Sequence, residues 1–231
     1  MSDHPNNPAN WTVARFVSEV DAIRRALGVR RWHVLGQSGG GTVALEYGAR
    51  QPAELASLVL ASPLVSTRSW ITDASALRSQ LAPKVQATLN KCDPPVRVTR
   101  ECDQAVEAFY ASYYTREPRG PTYNAYIAAH PTLRLNNRLY QAMWGSSEFV
   151  AKGSLRDYDG EPLLSQLNGS HTLFIAGQYD EARPTTVGGF AEQVPSAEFA
   201  VIPGSGHALF SDWPDEAIGI LRPWLKSHDA V

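Results

Sequence analysis

The hydrophobic pattern changes period several times along this chain. Val13, Phe16, Val17, Val20, Ile23 and Leu27 recur at helical spacing on one face, and Gly28 supplies the C-terminal stop. Trp32-His33-Val34-Leu35 is a short apolar run that reads as a buried strand. Thr42-Val43-Ala44-Leu45-Glu46-Tyr47-Gly48 reads as a helix, Leu58-Val59-Leu60-Ala61 as a second strand, and Ser62-Pro63 ends the sheet-forming pattern. From residue 64 to about 155 the period is helical, in Ala-, Arg- and Tyr-rich segments broken by Pro83, Pro94-Pro95, Pro118 and Pro131. Two further strands, Thr172 to Ala176 and Glu198 to Ile202, precede a last amphipathic helix from Trp213 to Lys226, which carries Pro214 near its start and Pro223 near its end. Strands alternating with helices on both sides of a helical block predict an α/β fold with a mostly parallel sheet. The expected division is a core of residues 1–63 and 156–231, with 64–155 inserted as a helical cap.

Composition narrows the class of protein without naming a chemistry. The 231 residues suffice for one domain with a real core. Lys and Arg number 21 against 23 Asp and Glu, for a net charge of −2, so there is no basic excess to suit nucleic acid. No apolar run approaches a membrane span, and Met-Ser-Asp-His-Pro-Asn-Asn-Pro lacks the apolar centre of a signal peptide. The expected location is the cytoplasm. Cys92 and Cys102 are accordingly read as reduced thiols, although they are able to pair. Clustered His/Cys ligands and a P-loop are both missing, so neither a metal nor a cofactor is expected.

The chemistry is written in Gly36-Gln37-Ser38-Gly39-Gly40, a G-x-S-x-G turn between strand and helix. Such a turn is a nucleophile elbow, which pushes a strained serine out of the sheet between residues that leave no room for bulk. Two later loops supply the partners in the order a serine hydrolase of this type needs. Asp180 follows the Thr172–Ala176 strand on Gly177-Gln178-Tyr179-Asp180, and His207 follows the Glu198–Ile202 strand on Pro203-Gly204-Ser205-Gly206-His207. In an open parallel sheet all three residues arrive at one edge, at the carboxyl ends of the strands. His207 is the expected base, Asp180 its orienting acid, and the Gly39 N–H the oxyanion donor. The competing readings are an exposed acid or helix cap for Asp180 and a surface loop histidine for His207.

With these motifs in place the chain resembles the proline iminopeptidases, α/β-hydrolases with a helical cap that remove N-terminal proline from short peptides. The resemblance rests on Ser2-Asp3-His4-Pro5 with Trp11-Thr12-Val13, on Gly36-Gln37-Ser38, and on Met143-Trp144-Gly145 with Glu148-Phe149. Gly177-Gln178-Tyr179-Asp180-Glu181 and Gly204-Ser205-Gly206-His207 complete it. It implies Ser38, Asp180 and His207 as the triad, and Glu148 and Glu181 as the acids that hold the substrate's free amino terminus. Two carboxylates in a partly dry pocket would demand a cationic terminus and so exclude internal peptide bonds. Without the resemblance, Glu148 reads as a cap-surface acid and Glu181 as an acid in the first turn of a helix. Tyr110, Tyr113, Tyr126 and Trp144 read as cap packing, with the lining of a proline pocket as the alternative.

The chain departs from that family at two points. Gly39 stands where family members usually carry Trp, and nothing matches the HGGPG loop that supplies the second oxyanion donor. Loss of one such donor costs about 10²–10³ in rate. Loss of the early strands that should flank Val34-Leu35 would expose a hydrophobic sheet edge there. The expected activity is a serine aminopeptidase acting on short peptides or amino-acid amides, with the chain a fragment of a longer enzyme. A cap-domain esterase or lactonase, and an inactive truncated hydrolase-like protein, remain open beside it.

Overall fold

The computed structural model describes residues 7–92, 99–116, 128–130 and 135–229. Helix α1 (Val13–Ala26) is capped by Thr12, whose side chain accepts from Arg15 N, and leads through Gly28 into strand β1 (Trp32–Gln37). Helix α2 (Gly39–Gly48) and strand β2 (Leu55–Ala61) follow. After β2 come α3 (Thr67–Arg78), α4 (Pro83–Cys92), α5 (Arg100–Tyr113) and α6 (Asn137–Met143). Strand β3 (Thr172–Gly177), helix α7 (Pro184–Glu192), strand β4 (Glu198–Ile202), the short helix α8 (Leu209–Asp212) and helix α9 (Pro214–Asp229) complete the order.

The four strands form one parallel sheet in the order β1-β2-β3-β4. Parallel strands need covering on both faces, and the alternating side chains of β2 and β3 serve two cores. Leu58, Leu60, Phe174 and Ala176 pack with Ala44 and Leu45 of α2 and with Val187 and Phe190 of α7. Val59, Ala61, Leu173 and Ile175 pack on the opposite face with Ile202, Leu209, Ala217 and Trp224. Helix α9 runs unbroken through Pro223 to Asp229, three residues beyond the expected end. A third, smaller core of Leu77, Phe109 and Tyr113 lies among the helices between β2 and β3.

Three expectations need correction. Strand β1 is not the buried strand that its apolar run reads as but the exposed edge that the departure from the family implied at Val34-Leu35: Leu35 is 42% exposed, because β2 is its single neighbour in the described sheet. Helix α1 buries less of its apolar face than its spacing implies, with Val17 at 1% exposure but Ile23 and Leu27 at 48% and 69%. The cysteines are not free thiols. Cys92 and Cys102 form a disulfide that joins the end of α4 to the start of α5 across a Cα separation of 5.8 Å. The compartment argument read each thiol alone, whereas the packing of α4 against α5 brings the two together. That bond also runs against a cytoplasmic location, since cytosolic thiols are held reduced. Among the described residues no helix is long and apolar enough to cross a membrane.

Candidate active site

Each of the four strands delivers one residue to the same edge of the sheet. Ser38 follows β1 and adopts φ 54 and ψ −125, a strained conformation for a residue with a Cβ. The surrounding bonds hold it there. Ser38 N donates to Ala61 O at 3.1 Å, and Ser38 O accepts from Gly41 N at 2.8 Å and Leu64 N at 3.1 Å. The glycines that make this turn possible are not all those of the motif. A Cβ at Gly36 would lie 2.2 Å from Gly40 O, and one at Gly41 would lie 2.6 Å from Pro63 Cβ, whereas Gly39 and Gly40 face open space. Only the first motif glycine is sterically required; the second tight position is Gly41. Gly39, the first residue of α2, has an N–H without an intrahelical acceptor, as an oxyanion donor needs.

Asp180, Glu181 and His207 are all buried, at 1%, 1% and 2% exposure. The Asp180 carboxylate accepts four hydrogen bonds. Its Oδ1 takes His207 Nδ1 at 2.8 Å and Ala182 N at 2.9 Å, and its Oδ2 takes Ser62 Oγ at 2.5 Å and Gly177 N at 3.0 Å. A carboxylate opposite Nδ1 fixes the tautomer, with the proton on Nδ1. The histidine loop is held from three sides. His207 N donates to Tyr113 O at 2.9 Å, Gln37 Nε2 donates to His207 O at 2.7 Å, and Asp212 Oδ2 accepts from Gly206 N and Arg116 N. The ring itself lies edge-on to Trp70, with centroids 5.5 Å apart, and beside Tyr114 at 5.2 Å.

Ser38 is not joined to this pair by a hydrogen bond. The other imidazole nitrogen, Nε2, lies 3.8 Å from Glu181 Oε1. Both oxygens of Glu181 are buried without a hydrogen-bond partner. Helix α7 begins at Pro184, so Glu181 lies in the preceding loop rather than in a first helical turn. Glu148, half-buried after α6, accepts from Tyr140 Oη at 2.7 Å, and Trp70 Nε1 donates to its backbone carbonyl at 3.2 Å.

The electrostatics follow from this crowding. Burial pushes the Glu181 carboxyl well above the usual range; His207 pulls it back, while Glu148 and Asp180 push it further. Burial likewise raises Glu148, opposed by the Tyr140 hydrogen bond and by His207. Burial disfavours a charged His207, but Asp180, Glu181 and Glu148 outweigh it and raise the imidazole to about 9. A cavity of about 480 Å³ opens beside these groups, lined by Ser38, Gly39, Trp70, Tyr114, Tyr140, Trp144 and Glu148, with Val13 and Phe16 of α1 along it.

The sequence therefore named Ser38, Asp180, His207, Glu148 and Glu181, and the fold brings the last four into one electrostatic cluster with Ser38 at its mouth. It missed Ser62, Gln37, Trp70 and Tyr140. Trp144, read as packing with pocket lining as the alternative, lines the cavity. Of the other residues quoted for the family resemblance, Ser2-Asp3-His4-Pro5 lie outside the described residues, as does Tyr126. Ser62 carried one legible signal: like Ser38, it stands directly after a strand.

A serine on a strand-to-helix turn, beside a buried Asp–His pair at the carboxyl edge of a parallel sheet, defines the chain as an α/β hydrolase. A family model described as the alpha/beta hydrolase fold matches residues 1–214. The proline iminopeptidase of Heyndrickxia coagulans is 30% identical over 227 residues, which cover 98% of this chain and 77% of the relative. That of Levilactobacillus brevis is 31% identical over 231 residues, covering 100% of this chain and 76% of the relative. The crystal structure of a proline iminopeptidase from Mycobacterium smegmatis superposes with a TM-score of 0.84 at 33% identity, over 99% of this chain and 76% of that one. The chain belongs to the proline iminopeptidase family of α/β-hydrolases.

Proposed function

We propose that this protein is a serine aminopeptidase that releases an N-terminal proline, or a similar residue, from short peptides or amino-acid amides through an acyl-enzyme. The observation that carries this reading is the pairing of Glu148 and Glu181 around His207. Neither carboxylate meets a Lys or Arg among the described residues, and Glu181 meets no donor at all. A buried acid without a donor destabilises a fold unless something cationic arrives to use it. A protonated N-terminus has the positive charge and the N–H donors to meet the empty oxygens of Glu181 and the remaining acceptor sites of Glu148.

In this reading the substrate's ammonium sits between Glu148 and Glu181 and draws Glu181 away from His207 Nε2. The ammonium also offsets the negative charge that holds a proton on Nε2; His207 loses that proton to solvent and, now neutral, takes the Ser38 proton as Oγ attacks the carbonyl carbon. The Gly39 N–H donates to the oxyanion, and Asp180, fixed by Ser62, Gly177 and Ala182, steadies the imidazolium. His207 next protonates the leaving amine, and water repeats the sequence on the acyl-enzyme to release the amino acid. Residues 64–155 act as the cap, contributing Trp70, Tyr140, Trp144 and Glu148 to the cleft. Resemblance to relatives named proline iminopeptidases supports the choice of substrate.

The test is fluorophore release from a proline-amide substrate by the purified chain beside Ser38→Ala. Activity that disappears in Ser38→Ala supports the peptidase. Folded protein that turns over neutral esters but leaves proline-amide intact, at every pH tried, refutes it.

A further inference from the structure

Glu148 and Glu181 face the same imidazole, but their surroundings differ. Glu181 has no hydrogen-bond donor, whereas Glu148 is gripped at both ends. Its carboxylate takes the Tyr140 hydroxyl at 2.7 Å, and its main-chain carbonyl takes the Trp70 indole N–H at 3.2 Å. Trp70 also stands edge-on to His207, so the histidine and the Glu148 main chain share one indole as a spacer. Tyr140 projects from α6 into the cavity that holds Ser38.

We propose that Tyr140 is the positioning residue for amine recognition: its hydroxyl aims the Glu148 carboxylate into the cleft, where a substrate's amine would meet it. The inference deepens the aminopeptidase reading above and rests on it for its substrate. A phenol donates its proton to a carboxylate and has nothing comparable to offer a carboxylic acid, so the contact favours the charged form. Burial and the negative charge of Glu148 both push the Tyr140 hydroxyl upward, so it stays a donor throughout the working range. Glu181, lacking such a donor, is held toward its neutral form by burial and is drawn further into its charged form as a cationic terminus arrives. The groups facing the Glu148 carboxylate are then Tyr140, Tyr110, His207 and Glu181.

The test is Tyr140→Phe, which keeps the ring and removes one oxygen. Turnover is compared on a proline-amide substrate and on the ester of cyclopentanecarboxylic acid, which has the same ring and no amine. Loss of a hydrogen bond to a charged group predicts a fall of about 10- to 100-fold in kcat/KM for the proline-amide, carried by KM. The ester, which has no amine to lose, should not fall in parallel: it should hold or rise near pH 7, because a less ionised Glu148 also lowers the His207 midpoint. Separately, titration of the Glu148 carboxyl by carbon-13 NMR, with Glu148→Gln to assign it, should move upward in Tyr140→Phe. Equal losses on both substrates, or an unmoved carboxyl titration, would overturn the proposal. If the wild-type chain does not prefer the amine-bearing substrate, the aminopeptidase reading fails by itself. The carboxyl titration still decides Tyr140, because it needs no substrate.

Discussion

Replacing Glu181 with Gln should move activity in opposite directions on two substrates. Glu181 Oε1 lies 3.8 Å from His207 Nε2, in a pocket from which water is largely excluded. At an effective dielectric of about 20, two unit charges at that separation attract by about 4 kcal/mol, a ceiling of about three pH units on the imidazole. Glu181 shares the effect with Asp180 and Glu148, and its own raised affinity for a proton leaves it charged only part of the time. Removing it should lower the His207 midpoint by about one to two units. The sign follows from the base's role: a histidine raised to about 9 is protonated at neutral pH, so the free enzyme gains activity as pH rises toward 9. The assay is kcat/KM against pH for a neutral ester, since that ratio reports the free enzyme and the substrate does not titrate. Glu181→Gln should reach its plateau at lower pH and exceed the wild type by about 10-fold near pH 7. On a proline-amide the same variant should be slower, because the cationic terminus has lost one of its two acids. An unmoved ester midpoint, or equal losses on both substrates, would show that Glu181 does not govern the base.

Two further outcomes test the fold that supports the site. Gly36→Ala places a Cβ 2.2 Å from Gly40 O and should destabilise the chain by about 3 kcal/mol or more, whereas Gly39→Ala meets open space and should stay within about 0.5 kcal/mol. Urea denaturation of the pair separates steric need from mere presence in the motif. Reduction of the Cys92–Cys102 disulfide opens a loop of 10 residues and should lower stability by about 3 kcal/mol, read as a fall in thermal midpoint with reductant. Because α5 ends against the His207 loop through Tyr113 O, that reduction should also slow turnover at temperatures below the melt.

What the sequence disclosed and what it hid divide along a physical line. Strands β1 to β4 and helices α1, α2 and α9 were readable because burial on a sheet or a helix face leaves a period in the chain itself, whereas the Gly- and Thr-bearing α7 went unread. The arrival of Ser38, Asp180 and His207 at one edge was readable because a parallel sheet brings the residues after its strands together there, so position along the chain implies position in space. Ser62 bonds to Asp180 across 118 residues, and Trp70 reaches Glu148 across 78; such contacts leave no periodic trace. The cysteines were misread for the same reason, since their pairing depends on how α4 meets α5. Strand β1 looked buried because an apolar run says that a face packs, not how many neighbours the strand has.

Asp180 and Glu181 show where that line falls most sharply, because they are consecutive residues on one loop. Asp180 accepts four hydrogen bonds, and Glu181, equally buried, accepts none. As letters they are two acids after a strand. In the folded chain one is a finished structural element and the other an unmet demand for a cation. A donor-free buried carboxylate opposes folding by roughly the desolvation penalty of an unsatisfied charged group, of the order of 1–3 kcal/mol or more. The His207 imidazole, 3.8 Å from Oε1, offsets part of that penalty, and no hydrogen bond in the described packing offsets the rest. The family resemblance alone pointed to Glu181 as a substrate ligand, and its lack of any donor in the fold is a separate physical reason for the same assignment.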